Sequence, residues 1–408
     1  MYSIFFQIYV WLFRLVALFH KKAAKMVVGQ KQTFRLLEEK ISSDDACFWM
    51  HVSSLGEFEQ GRPLIEALRR QYPTHKIVLS FYSPSGYEVR KDYQQADVVC
   101  YLPFDTPFAV KRFYQLVHPQ AAFFVKYDLW PNYLRCLRRH HIPAYLISGI
   151  FRPSQRYFWP VGSAFFRRML KGFDQFFVQN QLSAELLTGI ELGDKVQICG
   201  DTRCDRVLQV AAESKHLFML DTFTAPHVLV AGSTWPQDEK RLIPYFNQHS
   251  DMKMIIAPHQ VNESRLLYIE SLLKRPAVRY SQLTIESLAQ ADCIIIDCYG
   301  LLSLLYRYGD MAYIGGGFGA GIHNTLEAAV YGIPMVFGPR YQKFDEAKAL
   351  LERKAAQSID DEESLQAAFD AWRKDEHLKT SAGEAAKDYV LTNSGSTQCI
   401  MSYLTKHL

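Results

Sequence analysis

From Cys47 onward, short runs of apolar residues alternate with stretches in which apolar positions recur every three or four residues. The runs ACFWMHV, KIVLSFY, ADVVCYL, AAFFVKY, AYLISG, QFFVQN and VQICG read as strands, each closed by a Gly, Pro or Ser break, and several lead into an amphipathic helix. That alternation predicts a mostly parallel α/β sheet. A more polar, poorly periodic stretch from about Asp205 to Pro226 interrupts the pattern. It then restarts with HVLVAGS, MKMIIAP, DCIIID, MAYIGGG and IPMVFGP. With no short-period repeat and no low-complexity tract, two such sets predict two Rossmann-like domains facing a cleft. The boundaries are placed at 26–210 and 211–408, with the last helix of the chain packing back on the N-terminal domain. Ligands of such sheets sit beyond the carboxyl ends of the strands, so the loops there are where chemistry is sought.

Residues 1–25, MYSIFFQIYVWLFRLVALFHKKAAK, have a different pattern. A signal peptide carries its positive charge before the apolar region, whereas Lys21, Lys22 and Lys25 follow it here, and no small-residue cleavage site is present. Arg14 sits inside a stretch whose length otherwise suits a span of about 20 residues. Ser3, Gln7, Arg14 and Lys21 fall at steps of four and seven, on one narrow helical face. The segment therefore reads as a membrane anchor helix, either lying in the interface or spanning with its polar stripe against protein, and its lysines place the rest of the chain in the cytoplasm. An apolar helix packed on the protein's own core is the alternative.

A length of 408 residues supports two domains, and 49% hydrophobic with 22% charged residues excludes a disordered chain. A net charge of +4 without a single basic block gives no indication of nucleic acid. The eight cysteines form no C-x-x-C pair and have no His at ligand spacing, which favours reduced thiols over a zinc site or a disulfide framework.

The candidate chemistry lies in four loops. In GGGFGAGIHNTLEAA, Gly315–Ala329, six of the seven positions from Gly315 to Gly321 are Gly or Ala, so a backbone can approach a ligand and adopt φ > 0. His323 and Asn324 are expected to open a helix, and strand, glycine loop and unpaired N–H groups together suit a phosphate. The spacing is that of neither a dinucleotide fingerprint nor a P-loop, and a tight turn without ligand is the alternative. After the first strand, Ser53, Ser54, Gly56 and Glu57 precede a helix. Glu57 is placed to act as a general base, or merely to complement the helix dipole. Gly232, Ser233 and Thr234 offer hydroxyl and N–H groups to phosphate oxygens, or a plain N-cap. Glu327, one turn into the helix after the glycine loop, is expected within reach of ribose hydroxyls, or is an ordinary surface Glu. Trp130, Pro131 and Asn132 mark a strand-to-helix junction, with Pro starting the helix.

Taken in order, Ser54 to Glu57 (S-x-G-E), Tyr101 to Asp105 (YLPFD), Leu129 to Asn132 (LWPN), Ala231 to Thr234 (AGST) and Gly321 to Glu327 resemble the motifs of the 3-deoxy-D-manno-octulosonic acid (Kdo) transferases. The resemblance covers nearly the whole chain. It implies a GT-B glycosyltransferase that moves Kdo from CMP-Kdo onto the lipid A precursor at the cytoplasmic face of the inner membrane. The implied general base is Glu57. The implied donor site holds Ser233, Thr234, His259, Gly317, Gly319, Gly321, His323, Asn324, Glu327 and Arg340. The acceptor or cleft side holds Ser54, Gly56, Lys126, Asp128, Trp130 and Asn132. Two departures stand out. The family's E-T-E-L-W-P-N is KYDLWPN here, and its P-R-H is Pro258, His259 and Gln260, which leaves His259, Lys126 or Arg340 to supply the missing positive charge. No D-x-D occurs, so the sequence requires no metal, and no cofactor is implied. A UDP-sugar GT-B transferase, a UDP-GlcNAc 2-epimerase or a membrane-tethered nucleotide-binding protein would share the paired domains and the glycine loop.

Overall fold

The computed structural model describes residues 2–126, 128–213 and 217–408. They form two compact units, Met1–Arg206 with Ser394–Leu408, and Val207–Asn393. The first unit is built on seven strands, β1 (Cys47–Val52), β2 (Lys76–Phe81), β3 (Val98–Tyr101), β4 (Ala121–Val125), β5 (Ala144–Gly149), β6 (Gln175–Val178) and β7 (Val196–Ile198). Their order is β3-β2-β1-β4-β5-β6-β7, all parallel. Side chains alternate between two cores. Trp49 packs with Phe113, Phe124 and Tyr133 on one face, while Phe48 and Met50 pack with Ile65 and Phe123 on the other. Burial on both faces is why these strands read as unbroken apolar runs.

The second unit repeats the arrangement with β8 (His227–Thr234), β9 (Met252–Pro258), β10 (Ala277–Arg279), β11 (Cys293–Ile295), β12 (Met311–Ile314), β13 (Met335–Phe337) and β14 (Ala356–Ser358). The order is β10-β11-β9-β8-β12-β13-β14, again parallel. In each sheet the chain reverses its direction of growth once, between β1 and β4 and between β8 and β12. These topological switch points open a crevice at the carboxyl ends of the central strands.

At the N-terminus, α1 (Tyr2–Val16) is followed by α2 (Lys21–Lys40) across a bend of 119°. Among the described residues no single helix is long and apolar enough to cross a membrane, although this bent pair passes the test together. The face of α1 turned toward the first unit carries Tyr2, Ser3, Phe6, Val10 and Phe13: Val10 is buried, Phe6 and Phe13 meet the rings of Trp130 and Phe104, Tyr2 donates to Asp105 Oδ2 at 2.9 Å and Ser3 to Asn132 Oδ1 at 3.0 Å. Burial raises the Asp105 carboxyl to about 7 despite the N–H groups of Asn132 and Tyr133 that it accepts. Ile4, Phe5, Ile8, Trp11, Leu12 and Leu15 point outward and are exposed.

Two expectations change. The helix after the glycine loop is only Leu326–Ala329, beginning beyond His323 and Asn324. Asn324 instead accepts the Leu326 N–H through its side chain, as Asn does when it competes with helical backbone. The cysteines are not all reduced: Cys199 is bonded to Cys399, with Cα atoms 5.7 Å apart and a sequence separation of 200. That link holds the C-terminal helix Ser396–His407 against the end of β7, where Ser396 Oγ also donates to the Cys199 carbonyl at 2.6 Å. A cross-link closing so long a loop acts chiefly on the unfolded chain. Cys399→Ser should therefore lower the unfolding free energy of the oxidised protein by about 2–4 kcal/mol. In excess dithiothreitol, denaturant titrations of wild type and variant should coincide.

Candidate active site

The first unit assembles a polar cluster at its switch point. Ser54 caps α3 (Leu55–Gln71), and Glu57, in the first turn of α3, folds back so that its Oε2 accepts the Ser53 N–H at 2.6 Å. The carboxyl is half-buried, and burial, followed by the charge of Asp128, raises its pKa above the ordinary Glu value. The Ser53 N–H, His51 and Lys126 work in the opposite direction. A carboxylate in this setting is a stronger base than a solvated one. Gly56 is exposed, and a Cβ built on it meets no atom within 4 Å, so neither packing nor backbone strain demands glycine there.

Asp128 enters from the loop after β4. Its Oδ2 lies 2.6 Å from His51 Nε2 and also accepts the Ser53 hydroxyl. The His51 ring is fully buried, and its Nδ1 is 2.9 Å from Ser80 Oγ, which accepts the Trp49 indole N–H at 2.8 Å. The Trp130 indole N–H reaches the same pair, 3.1 Å from His51 Nε2. Burial opposes charge on Asp128, but the His51 ring and the hydrogen bonds from His51, Ser53 and Trp130 outweigh it and hold the carboxyl below its usual range. Lys126 has a left-handed φ of 61°. Beyond β7, burial opposes charge on Asp201, but Arg203, paired with it at 2.6 Å, and to a smaller extent Lys126 hold that carboxyl below its usual range. Asn132 does not join this cluster. It is buried, and its side-chain N–H donates to the Asp105 carbonyl.

In the second unit the candidate donor residues gather beyond β8, β9, β12 and β13. Ile314 is in register with Gly232, which brings Gly315 beside Ser233; a Cβ on Gly315 would lie 2.2 Å from the Ser233 carbonyl oxygen. Ser233 has φ 54°. Thr234 is turned inward, its hydroxyl donating to the buried Glu239 at 2.9 Å, and Arg265 pairs with the same carboxylate. Trp235, His259 and His323 stack in sequence, with centroids 4.6 and 4.4 Å apart. The Trp235 N–H donates to His323 Nε2 at 3.2 Å. Burial, then His259, pushes His323 down to about 4, and burial lowers His259 below the ordinary imidazole value. Arg340 is an exposed cation whose guanidinium donates to the Gly319 carbonyl and whose backbone N–H donates to the Gly317 carbonyl at 3.0 Å. Asn324 donates to Glu327 Oε1 at 3.0 Å. Gly317 abuts Gly338, and Gly321 takes φ 136°, a conformation that favours glycine.

His51, Asp201, Trp235 and Asp238 were not among the residues singled out from sequence. Asp238 is the hub of the second site: one carboxylate accepts the Trp235 N–H, the Gly316 N–H and the Tyr313 hydroxyl, each at 2.9 Å. One signal was available. Trp-Pro starts the helix after a strand in both units, at Trp130-Pro131 and Trp235-Pro236, and Pro at the first helical position is pre-set for that role.

Two parallel α/β units with their polar clusters at the switch points define a GT-B-type protein. Solved structures share that fold: a UDP-GlcNAc 2-epimerase from Neisseria meningitidis aligns over 88% of this chain and 100% of its own with TM-score 0.63 and 14% identity. MurG from Acinetobacter baumannii aligns over 89% and 99% with TM-score 0.57 and 12% identity. Residues 28–206 match the family described as 3-deoxy-D-manno-octulosonic-acid transferase (kdotransferase). The 3-deoxy-D-manno-octulosonic acid transferase of Aquifex aeolicus is 26% identical over 78% of this chain and 83% of its own length. That of Chlamydia muridarum is 25% identical over 91% and 88%. Residues 28–206 thus match the transferase family, and relatives named as Kdo transferases at 25 to 26% identity align with most of the chain.

Asp238→Ala should cost about 3 kcal/mol or more, because it leaves three donors without an acceptor. Asp238→Asn, which keeps a carbonyl oxygen, should recover part of the loss in a chemical-denaturation measurement.

Proposed function

We propose that this chain transfers Kdo from CMP-Kdo to a hydroxyl of the lipid A precursor, with inversion at the anomeric carbon and Glu57 as general base. The match to the transferase family supports the reaction class, and the environment of Glu57 carries the assignment of the base. Removal of the acceptor proton needs a carboxylate that is charged at neutral pH yet more basic than a free one. The half-buried Glu57, raised by burial and by Asp128, answers that need. His51, Ser53 and Trp130 fix Asp128, so Asp128 acts on the base through position and charge.

In this reading the second unit holds the CMP portion. The leaving group carries a single phosphate. The exposed Arg340, held beside the loop Gly315–Gly321 by its bond to the Gly319 carbonyl, meets it. Glu327, oriented by Asn324, accepts ribose hydroxyls. The outward face of α1, with Phe5 69% and Trp11 65% exposed, rests on the cytoplasmic side of the inner membrane and brings the site to its lipid acceptor. The likeness to 2-epimerases, at 12 to 14% identity, is one of fold and carries no activity.

Two measurements test this reading. Purified protein, CMP-Kdo and a tetra-acylated disaccharide should give a Kdo-bearing product by mass spectrometry, and UDP-GlcNAc should not replace the donor. Glu57→Gln should lower turnover on the order of 100-fold to 10,000-fold with CMP affinity unchanged. Glu59→Gln, whose parent carboxylate pairs with Arg90 at 2.8 Å, should stay near wild type. Because the base works only when deprotonated, wild-type turnover should fall as pH drops through a value above the ordinary Glu range, and Glu57→Gln should lack that limb. Near-normal turnover by Glu57→Gln removes it as the base.

Gly56→Ala gives a further check. The free protein should be unaffected or slightly stabilised, since the new methyl touches nothing and Ala favours a helix by roughly 0.5–1 kcal/mol. Steady-state kinetics should nevertheless show a raised acceptor KM, because we place Gly56 on the acceptor side of the cleft beside Glu57.

A further inference from the structure

A cavity of about 410 Å³ lies between α1, α2 and the helix Pro107–Val117, with Thr106 at the N-cap of that helix on its wall. It has no part in the chemistry described above. Its lining includes Arg14 from α1, Lys31 from α2 and Arg112 from the third helix, and no carboxylate. Arg112 is shared with Glu38 at 2.8 Å and lies over the Phe34 ring. Arg14 and Lys31 are exposed and make no ion pair among the described residues. A second observation is independent of charge. Gln30, only 6% exposed, lines the same cavity, and its Nε2 is buried with no hydrogen-bond partner. A buried amide donor is rarely left unmatched unless something else completes it. The remaining wall is apolar, with Val10, Val27 and Phe104 inside and Phe108 exposed at 77%.

A ligand matched to this lining carries an anionic oxygen group for the cations and the Gln30 amide, and an apolar part for the remaining wall. We propose that the cavity binds the phosphate head group of an anionic bilayer phospholipid, with the acyl chains leaving along the outward face of α1. Such a lipid would fix how α1 sits on the membrane. The proposal rests on α1 facing lipid and is independent of the sugar-transfer reaction.

The test uses the full chain and dihexanoyl phosphatidylglycerol below its micellar concentration, with binding followed by calorimetry. Saturable binding is expected. The double variant Arg14→Gln/Lys31→Gln should weaken it on the order of tenfold to thirtyfold, from two lost charges near an anionic lipid. Gln30→Leu should weaken it as well. Arg138→Gln/Lys171→Gln, an equal charge change beside a different cavity, should leave it unchanged. Unaltered affinity in the double variant, whose side chains are exposed and tolerate replacement, would overturn the proposal even if Gln30→Leu failed to fold. Dihexanoyl phosphatidylcholine binding as tightly as the glycerol lipid would overturn it in favour of a generic apolar contact. Inorganic phosphate binding as tightly would reduce the cavity to a simple anion site. Flotation with neutral phosphatidylcholine vesicles reads the docking of α1 separately, so loss there and loss of head-group selectivity are distinguishable.

Discussion

Parallel strands buried on both faces leave their side chains no access to a ligand, so chemistry can occur only where the strands end. Every polar group discussed above follows from that constraint. The sheet order adds a second selection: of all the strand ends, those flanking the reversal in order face a crevice. In the first unit these are β1 and β4, which present Glu57 and Asp128. In the second they are β8 and β12, which present Ser233 and the glycine loop. The pairing of Ile314 with Gly232 then fixes how closely the loop approaches, and only a residue without Cβ fits at Gly315.

The long central strands were legible because their apolar runs are unbroken. β10 and β14 were not: each is three residues at a sheet edge, and the sequences AVR and AQS are only partly buried. The short helix after the glycine loop was misplaced for a related reason. Apolar spacing indicates a helix but not its first residue, and here Asn324 uses its side chain to take over a backbone N–H. Of the candidate groups, those carried by local sequence could be found. Those defined by a distant partner could not. Asp238 looks like an ordinary first-turn acid until Gly316 and Tyr313 are seen to donate to it, 78 and 75 residues away. The same holds for His51, whose role depends on Asp128, and for Cys199 and Cys399, which lie 200 residues apart.

The replacement of an acid by Asp128 acquires a physical meaning from this network. Asp is one methylene shorter than Glu, and Asp128 reaches both His51 and Ser53 while its charge still raises Glu57. Lys126 offsets part of that field. Base strength at Glu57 is thus set by opposing charges on one loop, and a change at either position would act on the base without touching it.

Periodicity could show that the two faces of α1 differ, but not which face meets the protein. Ser3 bonds to the first unit and Arg14 lines a cavity there, whereas Phe5, Trp11 and Leu12 are turned away with more than half their surface exposed. Val10, Phe6 and Phe13 face the protein, so apolar residues lie on both sides of α1; a helix packed on a core in water does not keep so large an outward apolar face, because apolar surface left in water costs about 25 cal/mol per Å². The bend between α1 and α2 also changes what the basic side chains of this region do. Lys21, Lys22 and Lys25 begin α2 after a bend of 119°, so they project along a different axis from the apolar face instead of extending it. Apolar and cationic groups can then meet a membrane at different depths, rings in the hydrocarbon boundary and ammonium groups among the head groups, which one straight amphipathic helix could not arrange.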